Sequence, residues 1–208
     1  MNPESPVFTI ENECQDCYKC VRHCHCKAIR IVNAKASVIP EACVACGECV
    51  KVCPAHAKKI RSDYMRLKKL LESGTPVYAS IAPSHIGYFK GAGIGRIASA
   101  LKKAGFAGVG ETALGAEAVS AMTCGFLRDA KQRLVISSAC PAAVDYIRKY
   151  LPEYAKNIIP LHSPVLAHCR MLRDQFGETI KTVFFGPCAA KKNEADRNPE
   201  LLNLALTF

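Results

Sequence analysis

The chain has 208 residues, half of them apolar, with 13 cysteines and a formal net charge of +10. That length allows one ordinary domain plus a small one, each with a real core. The opening MNPESPVFTIENE has neither the basic nor the apolar region of a secretion signal, and no apolar run reaches the roughly 18 residues that span a bilayer, so the expected setting is cytoplasmic, with cysteines that bind metal rather than form disulfides.

Nine of the thirteen cysteines fall between Cys14 and Cys53, inside an internal repeat. The first run is Cys14-x2-Cys17-x2-Cys20-x3-Cys24, and the second is Cys43-x2-Cys46-x2-Cys49-x3-Cys53-Pro54. A [4Fe–4S] cube needs four thiolates at the corners of a small tetrahedron. A tight Cys-x2-Cys-x2-Cys loop delivers three of them, and the fourth cysteine of each run serves the other cluster, as in bacterial two-cluster ferredoxins. The spacing therefore assigns Cys14, Cys17, Cys20 and Cys53 to one cluster, and Cys43, Cys46, Cys49 and Cys24 to the other. A zinc site would call for pairs of Cys-x2-Cys instead. The first run ends Cys24-His25-Cys26 where such proteins usually have Cys-Pro; Cys24 is read as the ligand, and Cys26 as a bystander near the cluster or an alternative ligand. Residues 1–62 are expected to form an α+β, ferredoxin-like two-cluster domain.

Ser62 to Ser73 has a helical pattern with Gly74 as its stop, so residues 63–75 are read as a helical linker. Residues 76–208 then alternate apolar runs with helix-like stretches. The runs are Val77–Ala82, Phe106–Gly110, Leu134–Ser138 and Thr182–Phe185; the helices are expected over Ile94–Ala104, Ala113–Lys131, Ala142–Tyr150 and Val165–Phe176. This alternation predicts an α/β lobe with a parallel sheet. Pro83-Ser84 follows the first run, Ala139-Cys140-Pro141 the third and Gly186-Pro187-Cys188 the fourth. Ligands bind at the carboxyl ends of strands in such sheets, so these residues read as one converging site.

Two stretches carry a family likeness. SSACPAAVDYIRKYLPE (Ser137–Glu153) resembles the first active-site motif of the iron-only, or [FeFe], hydrogenases, TSCCPxW followed by a helix ending in YPE. FFGPCAAKKNEADR (Phe184–Arg197) resembles their second motif, and Ile81-Ala82-Pro83-Ser84 fits their early strand-end loop. The resemblance implies that Cys140 and Cys188 are two of four cysteines holding a di-iron centre bridged to a cube, the H-cluster. It further implies that Lys191 hydrogen-bonds a cyanide on that centre, with Glu194 beside it and Pro83 and Ser84 around the other cyanide. A cation near anionic ligands is favourable on physical grounds too. Read without the family, Lys191 and Glu194 are a solvated i,i+3 pair at a helix start.

Three departures bound the likeness. The third family motif, ExMxCxxGCxxG, with the other two cysteines, does not occur before LNLALTF, so an H-cluster is expected only if the chain continues past Phe208. Ala139 stands where catalytic members have a proton-relaying cysteine, the stretch Met122–Leu127 lacks their relay glutamates, and Gly186 replaces a methionine. The last two features resemble the sensory branch, whose members often carry a downstream regulatory domain.

Cys124 and Cys169 lie in helix-like segments and are read as core; His85, His162 and His168 are read as structural or exposed. Gly91-Ala92-Gly93-Ile94-Gly95 departs from a dinucleotide loop and reads as a helix entrance. Eight thiolates and two 2+ cores would lower the net charge from +10 to +6. The basic residues, among them Lys58, Lys59, Arg61, Arg66, Lys68 and Lys69 on an expected helix, suit an acidic electron carrier such as a ferredoxin better than nucleic acid. Three functions compete: reversible H+ reduction or H2 sensing at a hydrogenase-type site, a non-catalytic ferredoxin-type carrier, and an iron–sulfur assembly scaffold.

Overall fold

The computed structural model describes residues 5–129 and 134–208. The cysteine-rich segment folds as two copies of one unit. The first copy is β1 (Val7–Thr9), α1 (Lys19–His23) and β2 (Ile29–Val32); the second is β3 (Lys35–Val38), α2 (Glu48–Val52) and β4 (Lys58–Ile60). Cys43 follows Cys14 by 29 positions, and the same offset carries α1 onto α2 and the start of β2 onto that of β4. β1 pairs antiparallel with β4, and β2 with β3, so each copy crosses into the other. The repeat extends to the backbone. Asp16, Tyr18 and Lys27 have left-handed φ, and so do their counterparts Ala45, Gly47 and His56. Left-handed φ strains a side-chain-bearing residue, and its recurrence at matched positions marks a required turn.

Lys58 and Lys59 lie on strand β4 rather than a helix, because that segment repeats β2; Lys58 is buried, as is Arg61 just beyond. Only Arg66, Lys68 and Lys69 of the basic group stand on helix α3 (Tyr64–Leu71).

The second lobe has a four-stranded parallel sheet in the order β6-β5-β7-β8, with β5 at Val77–Ile81, β6 at Gly108–Glu111, β7 at Lys181–Gly186 and β8 at Leu204–Thr207. One expected strand is corrected. Leu134–Ser138 stays out of the sheet, and Ile136 forms only an isolated bridge with Ile158. Its place is taken by β8, whose Leu204 and Ala205 bury on opposite faces beside Val183 and Phe184 of β7. The helices are α4 (His85–Tyr88), α5 (Ile94–Lys103), α6 (Thr112–Asp129), α7 (Pro141–Tyr150), α8 (Pro164–Phe176) and α9 (Ala190–Arg197). Lys131, the expected end of α6, lies outside the described residues. Gly93 precedes α5 as its N-cap, in keeping with a helix entrance.

One sheet face buries Ala79, Ile81 and Val183 under Leu67 of α3 and Ile97 and Leu101 of α5. The other buries Phe184 and Ala205 under Val165, Leu166 and Cys169 of α8 and Ala195 of α9. Helix α6 lies against α8 so closely that a side chain at Gly115 would meet the His168 backbone nitrogen at 2.7 Å. The chain leaves β5 toward β6 with α5 on one face, then returns across β5 to β7 and β8 with α8 and α9 on the other. Right-handed crossovers require that change of face when direction reverses, so the topological switch point lies between β5 and β7.

Candidate functional site

The cysteines of the repeat line two cavities. One is bounded by Cys14, Cys17, Cys20 and Cys53 together with Pro54, Ala55 and Lys58. The other is bounded by Cys24, Cys43, Cys46 and Cys49, with Cys26 as a fifth thiol. Among the described residues, no three His, Cys, Asp or Glu side chains converge on the position of a single ion; the sulfurs surround a space instead. The backbone N–H of Ala45 points at the Cys43 sulfur and that of Ala28 at the Cys24 sulfur, both at 3.3 Å. The Ala36 N–H draws the Cys14 thiol below its ordinary pKa, while burial pushes up Cys20, Cys26 and Cys43 and takes Cys49 to about 12. Thiols surrounding a void, with amide donors aimed at two of them, fit a cube, whose own charge replaces those protons.

The two cavities differ in what backs them. Lys35, on β3, donates to the Cys14 carbonyl at 2.7 Å. The equivalent carbonyl, that of Cys43, accepts at 2.7 Å from Lys149 at the far end of α7. Next to it the Tyr150 hydroxyl meets the carbonyls of Cys26 at 2.9 Å and Ala42 at 2.7 Å. These two residues escaped the reading of the sequence, and no local signal marks them.

The N-cap of α7 is Cys140. Ala142, on its first turn, packs with Cys188 against Ala45, Ala189 and Ala190. Cys140 is exposed and Cys188 half-buried. Cys188 follows β7, and the exposed Pro83 and Ser84 follow β5, so both loops sit at the switch point, where open α/β sheets bind ligands. Cys49 belongs to the same packed group as Cys188, which makes the five-thiol cavity the nearer of the two to this site.

Lys191 and Glu194 form a buried pair at 2.6 Å, not a solvated one. The ammonium also donates to Ser163 Oγ at 3.1 Å and to the Ala139 carbonyl at 3.4 Å. It thus ties α9 to the N-cap of α8 and to the loop before Cys140, with an acceptor for each of its three protons. Beside it a polar cavity is lined by Ser138, Asp145, His162, Ser163, Glu194 and Arg197. Gly186 is imposed by packing: a side chain there would run into the Phe184 ring, 2.6 Å from Cε1, and the methyl of Ala82. Phe184 fills the space a methionine would need.

Cys169 is fully buried, while Cys124 is exposed on α6, against the expectation of a core residue. Helical spacing makes a face, and this face of α6 has no helix over it among the described residues. His168 is buried, with Nδ1 2.8 Å from Ser80 Oγ, which in turn meets Thr112 at 2.7 Å; burial depresses its pKa. His85 is buried on the Ala82 carbonyl, and His162 is exposed.

Residues 75–208 match the family model described as iron only hydrogenase large subunit, C-terminal domain, and residues 6–65 match a 4Fe-4S dicluster domain. The chain belongs to the iron-only hydrogenase large-subunit family. It is an iron–sulfur electron-transfer protein related to those hydrogenases. A segment of 48 residues is also 42% identical to one component of the ion-translocating oxidoreductase complex of Methanosarcina acetivorans. The match covers 23% of this chain and 18% of that protein, so the chain spans less than a fifth of that relative's length. Among the described residues no helix is long and apolar enough to cross a membrane.

By the resemblance an H-cluster would call for four cysteines; Cys188 lies in the switch-point loop after β7, while Cys140 caps α7 outside the sheet. Cys169 is held inside the α8 core and Cys124 stands out on α6, so neither completes the set. The described residues fit half of that cradle.

Proposed function

We propose that residues 1–62 form a two-cluster electron-transfer module, joined through residues 63–75 to a hydrogenase-type lobe over 76–208. Cys14, Cys17, Cys20 and Cys53 would hold one [4Fe–4S] cluster and Cys24, Cys43, Cys46 and Cys49 the other; together they would supply one-electron transfer toward a centre that Cys140 and Cys188 would bound. When bound, that centre supplies reversible chemistry between protons and H2. The residues of the chain orient it: Lys191 presents an ammonium to anionic ligands, and giving up its long bond to the Ala139 carbonyl frees one proton for them. By the resemblance Pro83 and Ser84, exposed at the end of β5, would flank that centre. Glu194 touches Lys191 and lines the polar cavity, so it can pass a proton between the two, which matters because Ala139 cannot. Slow proton movement suits an H2 sensor.

The observation that carries this reading is the buried Lys191–Glu194 pair at the switch point. A buried ion pair is costly to keep, and here it places an ammonium beside the loop that precedes Cys140. The test is infrared spectroscopy of the full-length, matured protein: CO and CN⁻ bands are expected, and their absence sinks the hydrogenase reading.

A second reading, a non-catalytic carrier or assembly scaffold, is favoured by the likeness to a component of an oxidoreductase complex. Either way a redox protein partner is required. Residues 63–208 carry 19 Lys and Arg against 12 Asp and Glu, while residues 1–62 carry nine against six, a surplus that two loaded clusters cancel. An acidic carrier is therefore drawn to the second lobe, beside the module.

A further inference from the structure

The two cluster cavities are built by the same repeat, yet one has four thiols and the other five. Adding the 29-residue offset to Cys26 gives Ala55, and Ala55 lines the first cavity as Cys26 lines the second. The position therefore faces a cavity in both copies. Cys26 is no bystander on the surface: it is 8% exposed, and its carbonyl is held by the Tyr150 hydroxyl. A tight turn closes over it, with the Lys27 N–H bonded to the Cys24 carbonyl at 3.1 Å and φ of 51° at Lys27. That turn sets the sulfurs of Cys24 and Cys26 against one space. The Ala28 N–H goes to Cys24, which marks Cys24 as the resting ligand.

We propose that Cys26 is an exchangeable ligand of the second cavity, able to take the iron corner that Cys24 otherwise holds. The proposal rests on the reading of that cavity as a [4Fe–4S] site. In the exchange Cys26 loses its thiol proton and its sulfur bonds the iron, while Cys24 leaves that iron and takes up the proton. Charge and electron count are unchanged, and no oxidant is needed. The first cavity has no such reserve, because Ala55 has no sulfur.

The test is iron and sulfide content, with electron paramagnetic resonance after reduction, on the full chain reconstituted anaerobically. The wild type is expected to hold about eight irons, as two cubes require. Cys24→Ala should keep about eight, while Cys53→Ala and Cys24→Ala/Cys26→Ala should each fall to about seven or fewer. A Cys24→Ala chain that loses as much iron as Cys53→Ala overturns the proposal. Should Cys24→Ala not fold, Cys53→Ala/Ala55→Cys decides: recovery of the lost iron supports an equivalent reserve position, and no recovery overturns it. A wild type holding about four irons or none overturns the cluster reading itself, and the role of Cys26 with it.

Discussion

The two cysteine cavities share a backbone plan but not a neighbourhood. The carbonyl of Cys14 takes its cation from Lys35, inside the same module, and the matched carbonyl of Cys43 takes its cation from Lys149, on a helix of the other lobe. The counterpart of Lys35 in the second copy is Tyr64, which has already left the module for α3. The first cavity is thus self-sufficient, and the second is finished by the lobe it serves. Because α7 starts at Cys140 and ends at the Cys43 carbonyl, one helix connects the Cys140 loop to the wall of the nearer cavity. A repeat can keep its ligand geometry while its two sites diverge in charge and in attachment.

The largest expected effect comes from breaking the seam that holds module and lobe together. Asp63 is fully buried among Arg61, Arg66 at 2.8 Å and Lys192 at 2.9 Å, and Lys192 also donates to the Ala205 carbonyl at 2.8 Å. Lys192→Met leaves part of a buried carboxylate's charge unmatched and should cost about 3 kcal/mol. The urea midpoint would register it, and a loss under about 1 kcal/mol would mean that the seam does not depend on this pair.

Acid should loosen the same seam. Burial pushes the Asp63 carboxyl up, but the hydrogen bonds from Lys192 and Arg66 outweigh it and hold the pKa below the ordinary value. A carboxyl depressed on folding contributes its stability above the unfolded pKa of about 3.9 and loses it as pH falls through the lower, folded value. The stability difference between wild type and Asp63→Asn should therefore shrink from pH 6 to pH 3. Comparing the two chains cancels the acid lability of the clusters, and a constant difference contradicts the assignment.

The comparison of the cavities is sharpened by Lys149→Met and Lys35→Met. Each removes one cation near one cluster, so each should lower one reduction potential by roughly tens of millivolts and leave the other in place. Only Lys149→Met should also weaken the seam, by about 1–2 kcal/mol. Two variants that shift the same potential would show that the cavities are not electrically separate. The smallest effect is expected from Tyr150→Phe, which removes one donor from the Cys26 and Ala42 carbonyls. About 1 kcal/mol should be lost with both potentials nearly unchanged; a large shift in one would give Tyr150 an electronic role.

Cysteine spacing made the two four-thiol sets legible, because the ligands of a tight loop are set by local chain length. Helical periodicity found α5, α7 and α8 for a similar reason. The same kind of reading placed a strand at Leu134–Ser138 and overlooked β8, since an apolar run states only that a segment is buried and not which edge it pairs with. It also put Lys58 and Lys59 on a helix, where the offset of the repeat, followed to its end, leads to a strand. Cys124 was expected in the core, but a helix face is a core only when another element covers it.

What the sequence by itself determined is the family and the grouping of the cysteines: short-range spacing dictates which thiols can line one cavity, and motif order locates the loops after β5 and β7. What only the tertiary structure decided is which of two adjacent lysines serves the site. Lys191 turns to Glu194 and Ser163, while Lys192 turns to Asp63, because successive helical residues point about 100° apart and α9 lies between the switch-point loops and the seam. It also decided that Cys26 faces a cluster cavity and that Lys149 finishes its wall. Those contacts span up to 129 positions of chain, and no local pattern encodes a partner at that distance.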